Sequence, residues 1–212
     1  HSSARCVPEA EVWSMLRLPR GAFMTSRGGG GLVEGARRLA LTGTPGTGKT
    51  TVAELLAGAG LAVESVEQLA ERHGCIGVVD PLDGARPVDL RALSASLEKE
   101  WRTPPDTNTV IDGHLSHNLP VNAVVVLRCP PDVLEGRLNA RGYTEEKTSK
   151  NCDWELLGGA WNESRGDVPW IEFDTSLDSP ERIVAALGNW MVDGFKTTSH
   201  GSVIDWVAVQ EG

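Results

Sequence analysis

Leu39-Ala-Leu-Thr-Gly-Thr-Pro-Gly-Thr-Gly-Lys-Thr-Thr-Val-Ala-Glu-Leu-Leu-Ala57 is the stretch that decides how this chain folds. Its centre, Gly43-Thr44-Pro45-Gly46-Thr47-Gly48-Lys49-Thr50, is a complete G-x-x-x-x-G-K-[ST] phosphate loop. The apolar run Leu39-Ala40-Leu41 before it suits a buried parallel strand. Thr51 to Ala57 after it supplies good helix formers with apolar residues at helical spacing. Strand, glycine loop and helix in that order make a phosphate cradle. Backbone N–H groups of the loop converge on the β-phosphate, and the helix N-terminus adds partial positive charge. Lys49 can then reach the β/γ-phosphates, and the Thr50 hydroxyl can ligate Mg²⁺. A chance glycine-rich turn does not put eight residues in register between the right elements, so the reading is a nucleoside triphosphate site.

Outward from the loop, strand and helix signals alternate. Leu61-Ala-Val63 is a short second strand and Val66 to His73 a helix. Thr109-Val-Ile111 is β-branched and ends in Asp112. Ala123-Val-Val-Val-Leu127 is an unbroken apolar run of the buried parallel kind. Pro130-Pro131 stops it, and Asp132 to Ala140 reads as a helix. Trp170-Ile-Glu-Phe173 is a fifth strand, and Ser179-Pro180 opens a helix to about Val192, with serine as cap and proline at the first helical position. This alternation implies right-handed crossovers and a three-layer α/β sandwich with a central, mostly parallel five-stranded sheet, the P-loop NTPase architecture.

The core domain spans about 36–193. Residues 1–35 read as a non-core leader: Gly28 to Gly31 is a linker signal, and His1-Ser-Ser and Leu18-Pro-Arg-Gly21 resemble tag and protease-site fragments. Glu11 to Leu18 could form a short helix. Residues 194–212 read as a loosely held tail in which Trp206 is the residue able to dock.

The chain has 212 residues and a net charge of −9, enough for one well-packed domain and against a general nucleic-acid or membrane binder. No direct DNA binding is expected. Cys6, Cys75, Cys129 and Cys152 show no C-x-x-C pairing, and no apolar run reaches membrane-span length. A reduced, cytoplasmic protein is the expectation, with Cys75 and Cys129 as small buried apolar residues.

Two further constellations carry chemistry. Asp112 lies at the carboxyl end of the third strand, where it can hold Mg²⁺ directly or through water as a Walker B carboxylate. His114 and His117 follow, three apart. They make a weak zinc proposition without a third ligand nearby. His114 could position a water or acceptor, or report on the γ-phosphate; His117 reads as structural or solvent-facing. Arg137 and Arg141 share a helix face and precede the break Gly142-Tyr143. Arginines from a closing lid suit phosphoryl transfer, because the transition state spreads negative charge over the equatorial oxygens. The alternative is a solvated face paired with an acid such as Glu135.

No N-K-x-D-type guanine reader follows the fourth strand, which argues against a GTPase. An insertion at about 74–101, with an amphipathic helix from Pro87 to Leu97, and a lid at about 141–166 fit a small nucleoside-monophosphate kinase. The chain resembles the archaeal branch of the adenylate kinase isoenzyme 6 family. The resemblance rests on Leu41 to Thr51, Val110-Ile-Asp-Gly-His-Leu-Ser-His117, Val125-Val-Leu-Arg-Cys-Pro-Pro131, Arg137-Leu-Asn-Ala-Arg-Gly-Tyr143, and Glu172-Phe-Asp-Thr175 with Ser179-Pro-Glu181. It implies ATP- and Mg²⁺-dependent phosphoryl transfer to AMP with slow ATP hydrolysis. It also implies that Gly43 to Thr51 bind ATP phosphates, that His114 is the Walker B histidine and Arg141 the lid arginine, and that Asp174-Thr175 lie near the adenine. The family is also linked to small-subunit ribosome maturation. The alternative is therefore a nucleotide-switched assembly factor that uses hydrolysis to release a basic small-subunit ribosomal protein. The chain departs from the family in its lid, where Lys150-Asn151 replaces Glu-Asn although Glu155 remains. Gly158-Gly159 fall inside the expected continuous helix, and Trp154 and Trp161 are heavy for a solvent-flanked one.

Overall fold

The computed structural model describes residues 35–80, 86–163, 168–196 and 203–210. The expected helix at Glu11 to Leu18 lies outside them, as does Cys6. Five strands, β1 (Arg38–Thr42), β2 (Ala62–Ser65), β3 (Thr109–Asp112), β4 (Ala123–Arg128) and β5 (Trp170–Asp174), form one sheet in the order β2-β3-β1-β4-β5. Every pairing is parallel, so the sheet is more uniform than the mostly parallel one expected.

The alternation of side chains along β1 and β4 sorts the helices into two layers. Leu39 and Leu41 of β1 and Val125 and Leu127 of β4 pack with α1 (Lys49–Gly58) and α7 (Pro180–Val192) through Val52, Leu56, Ile183 and Leu187. Ala40, Val124 and Val126 face the other way, onto α2 (Val66–Arg72) and α3 (Leu90–Glu100) through Leu69, Leu93 and Leu97. All six residues of β4 are buried, which is why its sequence shows no polar alternation. Each leucine fully withdrawn from water contributes about 2 kcal/mol, so these two clusters dominate the fold's stability. Caps set the helix starts: Ser65 and Gln68 form a reciprocal capping box on α2, and Ser179 accepts from Arg182 N beside Pro180 on α7.

After β1 the chain builds β2 and β3 on one side and then crosses to β4 on the other. The carboxyl ends of β3, β1 and β4 therefore border one crevice, the switch point at which such sheets bind ligands. Asp112 stands beside Leu41 across the β1–β3 ladder, and Gly113 N donates to Leu41 O at 3.2 Å.

Beyond the sheet, α4 (Pro131–Ala140) packs on α5 (Glu145–Leu156), with Leu134, Leu138 and Cys129 buried against Tyr143 and Cys152. Cys129 is buried as expected, whereas Cys75 is only half-buried. The lid segment differs from a continuous helix. Helix α5 ends at Leu156, Gly158 takes a left-handed φ of 64°, and a short α6 (Gly159–Asn162) starts a new direction. The two glycines end one helix and start the next rather than weakening a single one. The tail also differs from the loosely held segment expected. Phe195 is buried, Trp206 is 5% exposed at the start of α8 (Trp206–Gln210), and Ile204 hydrogen-bonds into the core.

Candidate active site

The phosphate loop leaves β1 at Gly43, whose φ of +139° is closed to side-chain-bearing residues. A Cβ there would also stand 2.3 Å from Leu127 O, so β4 presses directly against the loop. Lys49 is the first residue of α1. Its ammonium donates to Gly43 O at 2.7 Å and Thr44 O at 3.0 Å, which leaves the third of its three hydrogens for a phosphate oxygen. Burial pushes Lys49 down to about 8, opposed by the charge of Asp112 and assisted by that of Arg141. An incoming phosphate would restore the charge that burial disfavours.

Asp112 and Thr50 are the residues that could hold Mg²⁺. Asp112 Oδ1 is buried with no hydrogen-bond partner, and burial raises its carboxyl above the usual range against the pull of Lys49. A buried carboxylate oxygen without a donor fits a cation, since leaving such an atom unsatisfied is costly. Thr50 is exposed, next to Lys49 on the first turn of α1. Among the described residues no cluster of three or more His, Cys, Asp or Glu could hold a metal ion, and the two histidines do not form one.

The histidines have separate tasks. His114 Nδ1 lies 3.1 Å from Gly43 O; a carbonyl only accepts, so Nδ1 carries the proton. Burial lowers His114 further below its ordinary value than its bond to Gly43 raises it, which leaves a neutral ring with an unprotonated Nε2. The edge of Trp154 packs on this ring at 4.7 Å. His117 is buried, not solvent-facing. The Thr42 hydroxyl donates to His114 O at 2.6 Å, so it accepts from His117 Nδ1 at 2.9 Å. The far nitrogen of His117 meets the Asn118 amide and Glu163. His117 thus braces the end of β1 against the segment that carries His114.

The two arginines also divide. Arg137 donates to Thr175 Oγ1 at 3.0 Å, Thr175 O at 2.9 Å and Gly46 O at 3.4 Å, clamping the loop to the turn after β5. Arg141 follows α4 and is exposed. Both line a cavity of about 290 Å³ with Gly46, Gly48, Thr51 and Thr175. Thr175 reaches this cavity, whereas Asp174 turns back to accept from Ser176 N and Oγ. Pro45 and Thr47 complete the loop, and the Thr47 hydroxyl donates to Thr44 O at 2.9 Å.

Two features escaped sequence reasoning, and a third, the acceptor side at the insertion, was legible only as a segment. A second cavity of about 530 Å³ lies between α3 and the single 3-10 turn Ser116–Asn118, lined by Arg91, Ser94, Glu98, Leu115, Asn118 and Glu163. The insertion and its amphipathic helix were the sequence signal for this side of the site, but nothing there singled out Arg91. Arg128 and Glu155 form a buried pair, Arg128 Nε donating to Oε1 at 2.6 Å, and Arg128 also donates to Glu172 at 3.0 Å. An arginine closing an apolar strand was the available hint. Glu155 in turn accepts from the Thr44 hydroxyl of the phosphate loop.

A family profile described as an AAA domain matches residues 39–158. A protein of Archaeoglobus fulgidus named "Putative adenylate kinase" is 40% identical over 150 residues, covering 70% of this chain and 79% of that protein. One of the same name from Pyrococcus abyssi is 38% identical over 175 residues, covering 82% of this chain and 93% of that one. Among solved structures, the shikimate kinase of Acinetobacter baumannii superposes with a TM-score of 0.51 at 16% identity, over 77% of this chain and 96% of that one, a likeness of fold. With the phosphate loop and the parallel sheet in place, the chain belongs to the archaeal-type adenylate kinase family.

Proposed function

We propose that this chain transfers the γ-phosphoryl group of ATP to a nucleoside monophosphate, AMP foremost, with slow ATP hydrolysis alongside. The observation that carries the reading is a pair of cavities: one at the phosphate loop, the other between the insertion helix α3 and the segment that follows His114 in the chain, lined by Leu115 and Asn118. The second is about 530 Å³, within the range of small-molecule sites, on the order of 300–1,000 Å³. Arg91 supplies it with a cation for an acceptor phosphate.

In this reading the loop amides and Lys49 hold the β- and γ-phosphates, and Arg141 stands where charge develops as the γ-phosphoryl group leaves. Arg137 keeps the loop and the Thr175 turn at fixed separation. An oxygen of the acceptor phosphate attacks the γ-phosphorus, the bond to the bridging oxygen of ADP breaks, and the acceptor becomes a diphosphate. Neutral His114 orients the acceptor or a water through Nε2. Mg²⁺, held by Asp112 and Thr50, would neutralise phosphate charge when bound.

The test is initial-rate ADP formation from Mg·ATP with AMP, CMP, UMP or GMP as acceptor. AMP should accelerate ADP formation most, and Arg91→Ala should raise the AMP KM by roughly tenfold with kcat little changed. Slow hydrolysis indifferent to every acceptor would instead favour the nucleotide-switched assembly factor. One feature speaks for that second reading: the lid-side helix is tied to the phosphate loop through Glu155.

A further inference from the structure

Glu155 lies on α5 and is 0% exposed, yet its carboxylate collects donors from three distant segments. Oε1 accepts from Arg128 Nε at 2.6 Å and Cys129 N at 3.2 Å at the end of β4, and from Trp206 Nε1 at 3.0 Å in the tail. Oε2 accepts from the Thr44 hydroxyl. Arg128 is fixed from the other side by Glu172, and Glu172 also accepts from Ile204 N at 2.8 Å and Trp170 Nε1 at 3.1 Å. Lid helix, strand end, tail and phosphate loop therefore meet at one carboxylate.

Thr44 is the informative member. Its carbonyl takes Lys49 Nζ at 3.0 Å, Thr47 N at 3.3 Å and the Thr47 hydroxyl at 2.9 Å. Its side chain has one hydrogen to give, and Glu155 takes it. A carboxylate can only accept, so the Thr44 hydroxyl is held in one orientation and its hydrogen is committed to Glu155. The peptide that carries Lys49's acceptor is thereby fixed from outside the loop.

We propose that Glu155 is a positioning residue for the triphosphate site: through Thr44 it sets the part of the phosphate loop that orients Lys49. It does so only while the lid helix and the Trp206 tail are docked. The inference rests on the nucleotide reading above. A purely structural Glu155 would stabilise the fold without altering nucleotide affinity once the chain is folded, and the two roles separate in a mutant cycle.

The full chain is titrated calorimetrically with the magnesium complex of a non-hydrolysable ATP analogue, well below each variant's unfolding midpoint. Glu155→Gln keeps the volume but turns a donor toward Thr44, and Thr44→Val removes the hydroxyl. Each should weaken binding roughly tenfold, the value of one charge-assisted hydrogen bond. The double variant should be no weaker than either single one, and Thr44→Ser should bind as the parent does. Parent-like binding by Glu155→Gln overturns the inference. So does a double variant whose losses multiply to about a hundredfold. If Glu155→Gln does not fold, Trp206→Phe, which removes one donor to the same carboxylate, takes its place in the cycle. It should weaken binding about threefold in the Thr44 background and have no effect in the Thr44→Val background. A parent chain that does not bind overturns the nucleotide reading itself. A parent that binds while the cycle is additive overturns only the role of Glu155.

Discussion

The phosphate loop and the lid–tail junction sit in contact yet are held by opposite means. The loop is a backbone device. Its carbonyls at Gly43, Thr44 and Gly46 gather Lys49, His114 and Arg137, and its glycines adopt dihedral angles that other residues avoid. The junction is a side-chain device: Glu155, Arg128, Glu172 and Trp206 satisfy one another inside the protein. A backbone device is local and tolerates no change in spacing. A side-chain network joins segments far apart in sequence, and each member is individually unremarkable.

The largest contrast should come from Lys49→Ala. It should lower phosphoryl transfer on the order of a thousandfold while leaving the fold intact. A variant that keeps a tenth of parental ADP production would remove the loop from the chemistry. Glu155→Ala should act first on the fold, costing about 3 kcal/mol in chemical denaturation because Arg128 loses a buried partner, on top of the roughly tenfold loss of nucleotide affinity expected from releasing Thr44. A loss below about 0.5 kcal/mol, the size of an ordinary surface change, would mean that the junction is not held by its charges.

Between the two regions lies Gly159, where a Cβ would stand 2.0 Å from Trp154. Gly159→Ala should displace the ring that packs on His114 and cost about 1–3 kcal/mol by overpacking. Turnover should fall with it, and an unchanged melting temperature and rate would show that the contact is slack. The smallest effect is a pH dependence. Lys49 titrates at about 8 in the nucleotide-free protein. Mg·ATP affinity should be flat below that value and fall by up to roughly tenfold per pH unit above it, with proton uptake on binding. The same low value costs the free fold stability at neutral pH. That cost is full below about 8 and shrinks as pH rises toward the unfolded value, because the unfolded chain then holds the extra proton. Flat affinity to pH 10 would place Lys49 in a wetter site.

The same division explains what could be read from the amino-acid order. β1, the loop and α1 are legible because phosphate-loop geometry demands fixed spacing, and β4 because a strand covered on both faces reads as an unbroken apolar run. Asp112 was placed by its position at a strand end. Gly158 misled: helix propensity treats a glycine as a weakness, and the left-handed turn it makes between α5 and α6 depends on tertiary context. The tryptophans that looked heavy for the lid are accounted for by contacts, Trp154 on His114 and Trp161 edge-on to Trp170 at 5.6 Å. The tail was undervalued because Trp206 is anchored by Glu155 and Ile204 by Arg128 and Glu172, partners no local pattern points to.

The most direct test follows the labelled γ-phosphorus of ATP in the presence of Mg²⁺ and AMP. The expected result is label appearing in the β-position of ADP formed from AMP, abolished in Lys49→Ala, with inorganic phosphate a minor product. Label recovered only as inorganic phosphate, at a rate that AMP leaves unchanged, would contradict it.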